Sequence, residues 1–193
     1  MRLTRGTRNA FYKYSPNSGM KVFAVADDPN YDCRVPRTCV AVVGPGENAS
    51  ATAIADATTV GRLVAERGWV TLTGGRAVGV MAAATRGAAD AGGLTIGVLP
   101  GTDKRHAAPD VAVALATGLG EARNAVLVSA ADAVIACGMS NGTASEVALA
   151  LRAAKLTVLV RPDADTRAFF SAAHICDTPE QAVEWLEPLL CSG

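Results

Sequence analysis

From Thr38 onward, short apolar runs alternate with alanine-rich segments of helical length. Nearly continuous apolar runs are typical of strands that helices cover on both faces. Five such strands are predicted at Cys39–Val43, Val70–Thr73, Thr95–Leu99, Ala133–Cys137 and Thr157–Val160, with weaker ones at Val111–Ala116 and His174–Cys176. Strands that alternate with helices pair in parallel. We therefore predict an α/β fold, a doubly wound and mostly parallel sheet of about six or seven strands flanked by helices.

The helical segments have recognisable ends. The first predicted helix, Ala51–Arg67, is followed by Gly68, at the position where a left-handed cap residue belongs. The last begins at Pro179 behind a candidate N-cap, Thr178, and finishes near Leu190. Two further helices are predicted at Val80–Ala91 and Ala144–Ala154.

Residues 1–37 differ in character from the rest of the chain. Five basic residues precede the first acidic one, Asp27: Arg2, Arg5, Arg8, Lys13 and Lys21. A cleavable organelle presequence shares this composition, but the stretch lacks an amphipathic helical period. We predict a basic N-terminal arm with a short strand at Lys21–Ala26, followed by one domain over residues 38–193.

Composition narrows the classes of partner. Eighteen basic and eighteen acidic residues cancel, so no global field attracts nucleic acid or an anionic membrane. No apolar run approaches the roughly 20 residues of a membrane-spanning helix. The five cysteines have no metal-ligand spacing, and there are only two histidines. The expectation is a soluble, cytoplasmic protein with free thiols and no metal site of its own.

Three glycine-bearing turns each follow a predicted strand and lead into a helix: residues 44–48, 73–81 and 138–146. Parallel strands bring these turns to one edge of the sheet, where ligands of open α/β folds bind. Glycines let the backbone approach a ligand, and the N–H groups of a helix start favour an anion by about 0.3 to 2 kcal/mol. Ala49 replaces the third glycine of a dinucleotide fingerprint, which disfavours a nicotinamide dehydrogenase. The alternative is that the glycines serve only tight turns.

Two charged residues are predicted near the same edge. Arg123 begins a helix after a glycine-rich break, and Glu146 lies in the first turn of the helix that follows the third glycine turn. Each has a structural alternative, Arg123 as a surface ion-pair partner and Glu146 as an acid that offsets the helix dipole.

Several stretches together resemble the superfamily known under the name lysine decarboxylase, which includes the LONELY GUY phosphoribohydrolases and the small, Rossmann-like molybdenum cofactor carrier proteins. The resemblance covers residues 38–160. It lies in Thr73-Gly74-Gly75, Val78-Gly79-Val80-Met81, Gly92-Gly93 to Pro100-Gly101, Arg123-Asn124 and Gly142-Thr143 to Glu146.

The hydrolase branch carries Pro-Gly-Gly-x-Gly-Thr-x-x-Glu and an upstream arginine followed by lysine. Here Arg123 and Glu146 match, but residues 138–140 read Gly-Met-Ser and Asn124 replaces the lysine. The pieces Gly-Gly-Arg-x-x-Gly-Val-Met, Ile-Gly-Val-Leu-Pro-Gly and Glu-Ala-Arg-Asn are more similar to the carrier branch.

The resemblance implies a protein that binds, stores and transfers the molybdenum cofactor without converting it, as a homo-oligomer (dimer or tetramer) with molybdenum enzymes as acceptors. The alternatives are a nucleoside 5′-monophosphate phosphoribohydrolase that uses Arg123 and Glu146, and a non-catalytic nucleotide sensor. The residues predicted to hold the anionic ligand are Gly44, Gly46, Thr73, Gly74, Gly75, Arg76, Gly79, Val80, Met81, Pro100, Gly101, Arg123, Asn124, Ser140, Asn141, Gly142, Thr143 and Glu146.

Overall fold

The fold is that of a computed structural model, which describes residues 10–13, 21–24 and 36–190. Its residues separate into two units, 1–36 and 37–193. In the first unit, strands β1 (Ala10–Lys13) and β2 (Lys21–Ala24) form an antiparallel pair. Strand β2 overlaps the strand predicted at Lys21–Ala26. The remainder of the predicted basic arm lies outside the described residues.

The second unit is built on a parallel sheet of seven strands, which confirms the predicted architecture. The strands are β3 (Cys39–Val43), β4 (Val70–Thr73), β5 (Thr95–Leu99), β6 (Val113–Ala116), β7 (Ala133–Cys137), β8 (Leu156–Val160) and β9 (His174–Cys176). Strand β6 begins two residues later than predicted because the Val111 N–H closes a turn onto the Ala108 carbonyl instead of joining the sheet.

Helices cover both faces of this sheet. They are α1 (Ala51–Glu66), α2 (Gly79–Asp90), α3 (Arg123–Ala130), α4 (Asn141–Arg152), α5 (Ala164–Phe169) and α6 (Pro179–Leu190). Helices α1, α2 and α6 pack on one face, and α3 and α4 pack on the other. The longest described helix, α1, has 16 residues, and none of the described helices has the length and apolar character needed to cross a bilayer.

The helix ends follow local hydrogen bonding. Gly68 adopts φ 70°, and the Trp69 N–H closes the cap on the Val64 carbonyl at 3.1 Å, which confirms the predicted left-handed end of α1. The start predicted for α4 at Ala144 is wrong, because the Ser140 hydroxyl caps the Thr143 N–H and brings residues 141–143 into the first turn. Helix α5 was not predicted.

Helices α1 and α2 cross at close range through two glycines. A Cβ on Gly61 would overlap the Ala84 carbonyl oxygen, and a Cβ on Gly87 would overlap that of Thr58. Ala84 and Ala88 are fully buried at the same crossing. The small residues of α1 and α2 bring these two helices of one chain together.

Strand β3 lies at the point where the direction of winding reverses. It pairs with β4 on one side and with β7 on the other, so the connections that follow β3 and β7 diverge to opposite faces. The crevice between the carboxyl ends of β3 and β7 is the location at which open parallel sheets bind ligands.

Candidate functional site

The first two glycine turns are joined by backbone contacts. The Val80 N–H donates to the Pro45 carbonyl at 3.0 Å. Gly79 adopts φ 53°, and a Cβ there would overlap the Gly46 carbonyl oxygen. Val80 itself is fully buried in the core. Gly79 and Val80 therefore hold the two turns together and do not face the crevice.

The second turn is shaped from within by Thr73. Its hydroxyl accepts from the Gly75 N–H at 3.1 Å and lies 3.3 Å from the Thr85 hydroxyl. Gly75 has φ 76°, and an added Cβ would come within 2.9 Å of the Gly97 Cα. Both residues are buried, so their contribution is to the shape of the turn.

The third turn ends in the N-terminus of α4. The Ser140 hydroxyl accepts from the Thr143 N–H at 3.2 Å and lies 2.8 Å from the Thr143 hydroxyl. The N–H groups of Asn141 and Gly142 come before the first intrahelical hydrogen bond, so they have no partner within the helix. Ser140 therefore contributes by fixing where the helix begins, while the Asn141 side chain is exposed.

The three turns surround a cavity of about 130 Å³ at the ends of β3 and β7, which we term the switch-point cavity. Its walls come from five places along the chain: the end of β3 with the first turn, the second turn, the loop after β5, the start of α3 and the start of α4. The predicted residues that line it are Gly44, Gly46, Gly74, Arg76, Met81, Pro100, Arg123, Asn124, Ser140, Gly142, Thr143 and Glu146.

A second cavity of about 350 Å³, the side cavity, shares Arg76 and Pro100 with the first. Val78 and Leu99 are among its apolar walls, and the side chains of Arg76, Asp103 and His106 also line it. The loop behind it is tied to the second turn, since the Ala108 N–H donates to the Gly75 carbonyl at 2.8 Å. The two cavities form adjoining compartments that meet at Arg76.

An ion pair is buried in the wall of the switch-point cavity. Arg123 Nη1 lies 3.3 Å from Glu146 Oε1, and the two residues are only 6% and 7% exposed. Burial raises the pKa of Glu146 to about 7, although the Arg123 charge opposes the shift, and nearby Glu121 adds to it. Arg123 is thus not a surface ion-pair partner, because its guanidinium lies beside the Glu146 carboxyl inside the cavity wall.

The residues from Arg37 onward match one protein family. The SLOG cluster4 family is matched over residues 37–183. The chain belongs to that family. This SLOG cluster4 chain is also 37% identical, over 147 residues, to an uncharacterized protein of Archaeoglobus fulgidus, covering 76% of this chain and 92% of the other.

Solved structures resemble this SLOG cluster4 chain closely. The molybdenum cofactor binding protein of the phototrophic bacterium Rippkaea orientalis is 42% identical with a TM-score of 0.79, over 80% of this chain and 98% of that one. The molybdenum cofactor carrier protein of Chlamydomonas reinhardtii is 36% identical with a TM-score of 0.77, over 81% of this chain and 100% of that one. The resemblance to carrier proteins noted in the sequence is confirmed.

The predicted residues of this SLOG cluster4 chain divide into two groups. The first group consists of the twelve residues given above for the switch-point cavity, together with Gly101, which lines the side cavity. The other lies outside both cavity linings: Thr73, Gly75, Gly79, Val80 and Asn141. Glu121 and His106 line the cavities but were not predicted. Glu121 directly follows the glycine-rich break and lies two residues before Arg123, so its position in the sequence could have indicated that it belongs to the site.

Proposed function

We propose that this chain binds the molybdenum cofactor, stores it and passes it on without chemical conversion. The observation that carries the proposal is the 42% and 36% identity to a molybdenum cofactor binding protein and a carrier protein, over 80% and 81% of this chain and 98% and 100% of theirs. The site also supports the proposal. The two adjoining cavities lie at the glycine turns, where backbone N–H groups can bind an anionic ligand.

The chemical groups of the cofactor are compatible with the two cavities. The cofactor combines a pyranopterin with a terminal phosphate and an oxo-metal group, and its metal arrives chelated by the pterin dithiolene. Among the described residues no group of three His, Cys, Asp or Glu side chains could hold a metal ion. The chain needs none for this role, because the ligand brings its own chelator.

The test is identification of what the purified chain retains or accepts. Protein prepared from cells that make the cofactor is expected to release a fluorescent oxidised pterin together with molybdenum in about equal amounts. Apo-protein offered the cofactor from a molybdenum enzyme is expected to protect it from oxidation. A chain that neither carries nor accepts pterin and molybdenum contradicts the proposal.

A nucleoside 5′-monophosphate phosphoribohydrolase is the second candidate, and the buried Arg123–Glu146 pair is the observation that favours it. A carboxyl group with a pKa of about 7 is suited to general acid catalysis at neutral pH. This function predicts release of adenine from AMP, at a rate that falls above pH 7 as Glu146 ionises. Glu146→Gln would lower the rate at least about 100-fold. No release of base by the wild type eliminates this candidate.

Delivery of the cofactor requires an acceptor, which we propose to be a molybdenum enzyme. We also propose that the chain functions as a homo-oligomer. Support for the oligomer comes from edge strand β6, where Val113 and Leu115 are 41% and 44% exposed. Light scattering of the purified chain is expected to give the mass of a dimer or tetramer. A monomer at micromolar concentration contradicts this part.

A further inference from the structure

Three polar side chains stand together on the wall that α3 and α4 form in the switch-point cavity: Arg123, Asn124 and Glu146. All three residues are at least nine-tenths buried. The 3.3 Å contact between Arg123 Nη1 and Glu146 Oε1 places a guanidinium donor directly beside a carboxylate acceptor. A ligand at this wall therefore meets a donor and an acceptor side by side.

The orientation of the Asn124 amide is determined by its neighbours. The Ser145 hydroxyl donates its proton to the Gly142 carbonyl at 2.8 Å. Ser145 Oγ is consequently an acceptor for Asn124 Nδ2, at 3.1 Å, and Asn124 Oδ1 points away from this contact. Because Asn124 lines the cavity, its buried amide oxygen is a second acceptor close to the same wall.

Two atoms of this cluster lack partners. Asn124 Oδ1 and Arg123 Nε are buried without a hydrogen bond to the described residues. Leaving such groups unsatisfied is costly, and their occurrence in a native structure calls for an explanation. Both belong to residues that line the same cavity, and a ligand that offers a donor and an acceptor would satisfy both once the side chains turn toward it.

The charges divide between the two ends of the site. The wall at α3 and α4 holds two carboxylates, Glu121 and Glu146, against the single cation Arg123. A phosphate placed there would face both carboxylates. Arg76 stands where the two cavities meet, and its nearest acid, Glu47, is 3.7 Å away at the exposed surface. The acceptor-rich wall suits the donor-bearing edge of a ligand. On the Arg76 side the lining acid, Asp103, is held in an ion pair with Arg105 at 2.7 Å, so this side suits the anionic end.

We propose that Arg123, Asn124 and Glu146 read the 2-amino-4-oxo edge of a fused pyrimidine ring, with the anionic end of the ligand directed toward Arg76 and the side cavity. This edge offers an amino group, a ring N–H and a carbonyl oxygen. The Glu146 carboxylate accepts from both nitrogens, the Arg123 guanidinium donates to the carbonyl, and Asn124 Oδ1 accepts the second amino hydrogen. The assignment rests on the proposed function, since pterins carry this edge, and guanine carries it as well.

The direction of the pH dependence separates this arrangement from one in which Arg123 grips an anion. The ionised Glu146 carboxylate is the acceptor, so affinity for the ring edge rises as pH increases through about 7. Were the guanidinium holding a phosphate, protonation of Glu146 would free it, and affinity would instead rise as pH falls. The other charged groups that line the cavity are Arg76, Glu121 and Arg123.

Matched small probes test the edge directly. Binding of pterin and of lumazine, in which an oxo group replaces the 2-amino group, is measured by ligand fluorescence at pH 7 on the full chain, because both probes lose the ring N–H at more alkaline pH. GMP and AMP form a second pair, because only GMP carries the edge. We expect pterin to bind at least about tenfold more tightly than lumazine, and GMP more tightly than AMP. The ratio of pterin to GMP affinity shows which source of the edge the site favours.

Variants assign the preference to the named side chains. Glu146→Gln and Asn124→Leu are each expected to reduce the ratio of pterin to lumazine affinity to about threefold or less, and Glu146→Gln also removes the pH dependence. The control Glu66→Gln makes the same chemical change in an exposed ion pair with Arg62, and keeps the ratio.

Equal affinities for pterin and lumazine, a wild type that binds neither, or affinity that rises as pH falls would each overturn the assignment. Retention of the whole cofactor by the same preparation would leave the proposed function standing even then. If the wild type prefers pterin but does not bind the whole cofactor, the proposed function is overturned and the assignment of the ring edge stands.

Discussion

Replacing Gly79 by alanine is expected to lower the free energy of unfolding by about 3 kcal/mol. Gly79 has φ 53°, a conformation that disfavours a Cβ, and the added carbon would overlap the Gly46 and Pro45 carbonyl oxygens. These are backbone atoms of the first glycine turn, which cannot move aside as a side chain can. Urea titration measures the loss, and the melting temperature should fall by roughly 6 to 12 °C.

Gly142→Ala is the matched control, because Gly142 also lies in the first turn of a helix at this edge. A Cβ at Gly142 would meet only the Ser140 hydroxyl, at 3.9 Å. Its stability should stay within about 0.5 kcal/mol of the wild type, with a small gain from helix propensity. If the two variants lose the same free energy of unfolding, the docking of the first turn on the second does not contribute as we describe.

Gly74→Ala is expected to leave the fold intact and to weaken cofactor binding at least about 30-fold, equivalent to about 2 kcal/mol. A Cβ at Gly74 would come within 2.6 Å of Arg123 Nη2 and 2.7 Å of Nη1, and within 2.6 Å of Met81 Sδ. These are the far ends of flexible side chains, so the chain accommodates the methyl group by displacing the guanidinium from Glu146. The affinity is measured by titration of the cofactor, or of pterin, against the purified variant.

The comparison for this variant is Gly46→Ala, which adds the same methyl group to the same cavity. A Cβ at Gly46 would make only ordinary contacts, 3.6 Å from Val78 Cγ1 and 3.8 Å from Met81 Cε. It should reduce affinity by about threefold or less. Equal losses in the two variants would indicate that filling space matters, and that the position of Arg123 does not.

The pairing of Arg123 with Glu146 changes what the site can recognise. Considered alone, each residue has an obvious partner, an anion for Arg123 and a helix N-terminus for Glu146. Placed 3.3 Å apart and buried, they present a donor and an acceptor side by side, and their charges balance once Glu146 is ionised, above about pH 7. Positive charge for an anionic group remains at Arg76, near the junction of the cavities.

The pattern of apolar residues was sufficient to locate the strands. Five of the seven strands predicted for the parallel sheet have the bounds that the structure shows, including β3 and β7 at the site. The reason is physical, since a strand covered on both faces forms a nearly continuous run of apolar or β-branched residues, as Val-Thr-Leu-Thr does in β4, and glycine turns mark its end. Parallel pairing then requires the turns after β3, β4 and β7 to share one edge of the sheet.

Other features of the site depended on contacts between distant parts of the chain. Whether a glycine faces a ligand or another backbone is decided by what packs beside it, and Gly79 proved to lie against Gly46. The sequence places Arg123 and Glu146 in separate helices, 23 residues apart. Only the packing of α3 beside α4 brings their charges into contact and removes them from water, and a local pattern does not specify that distance.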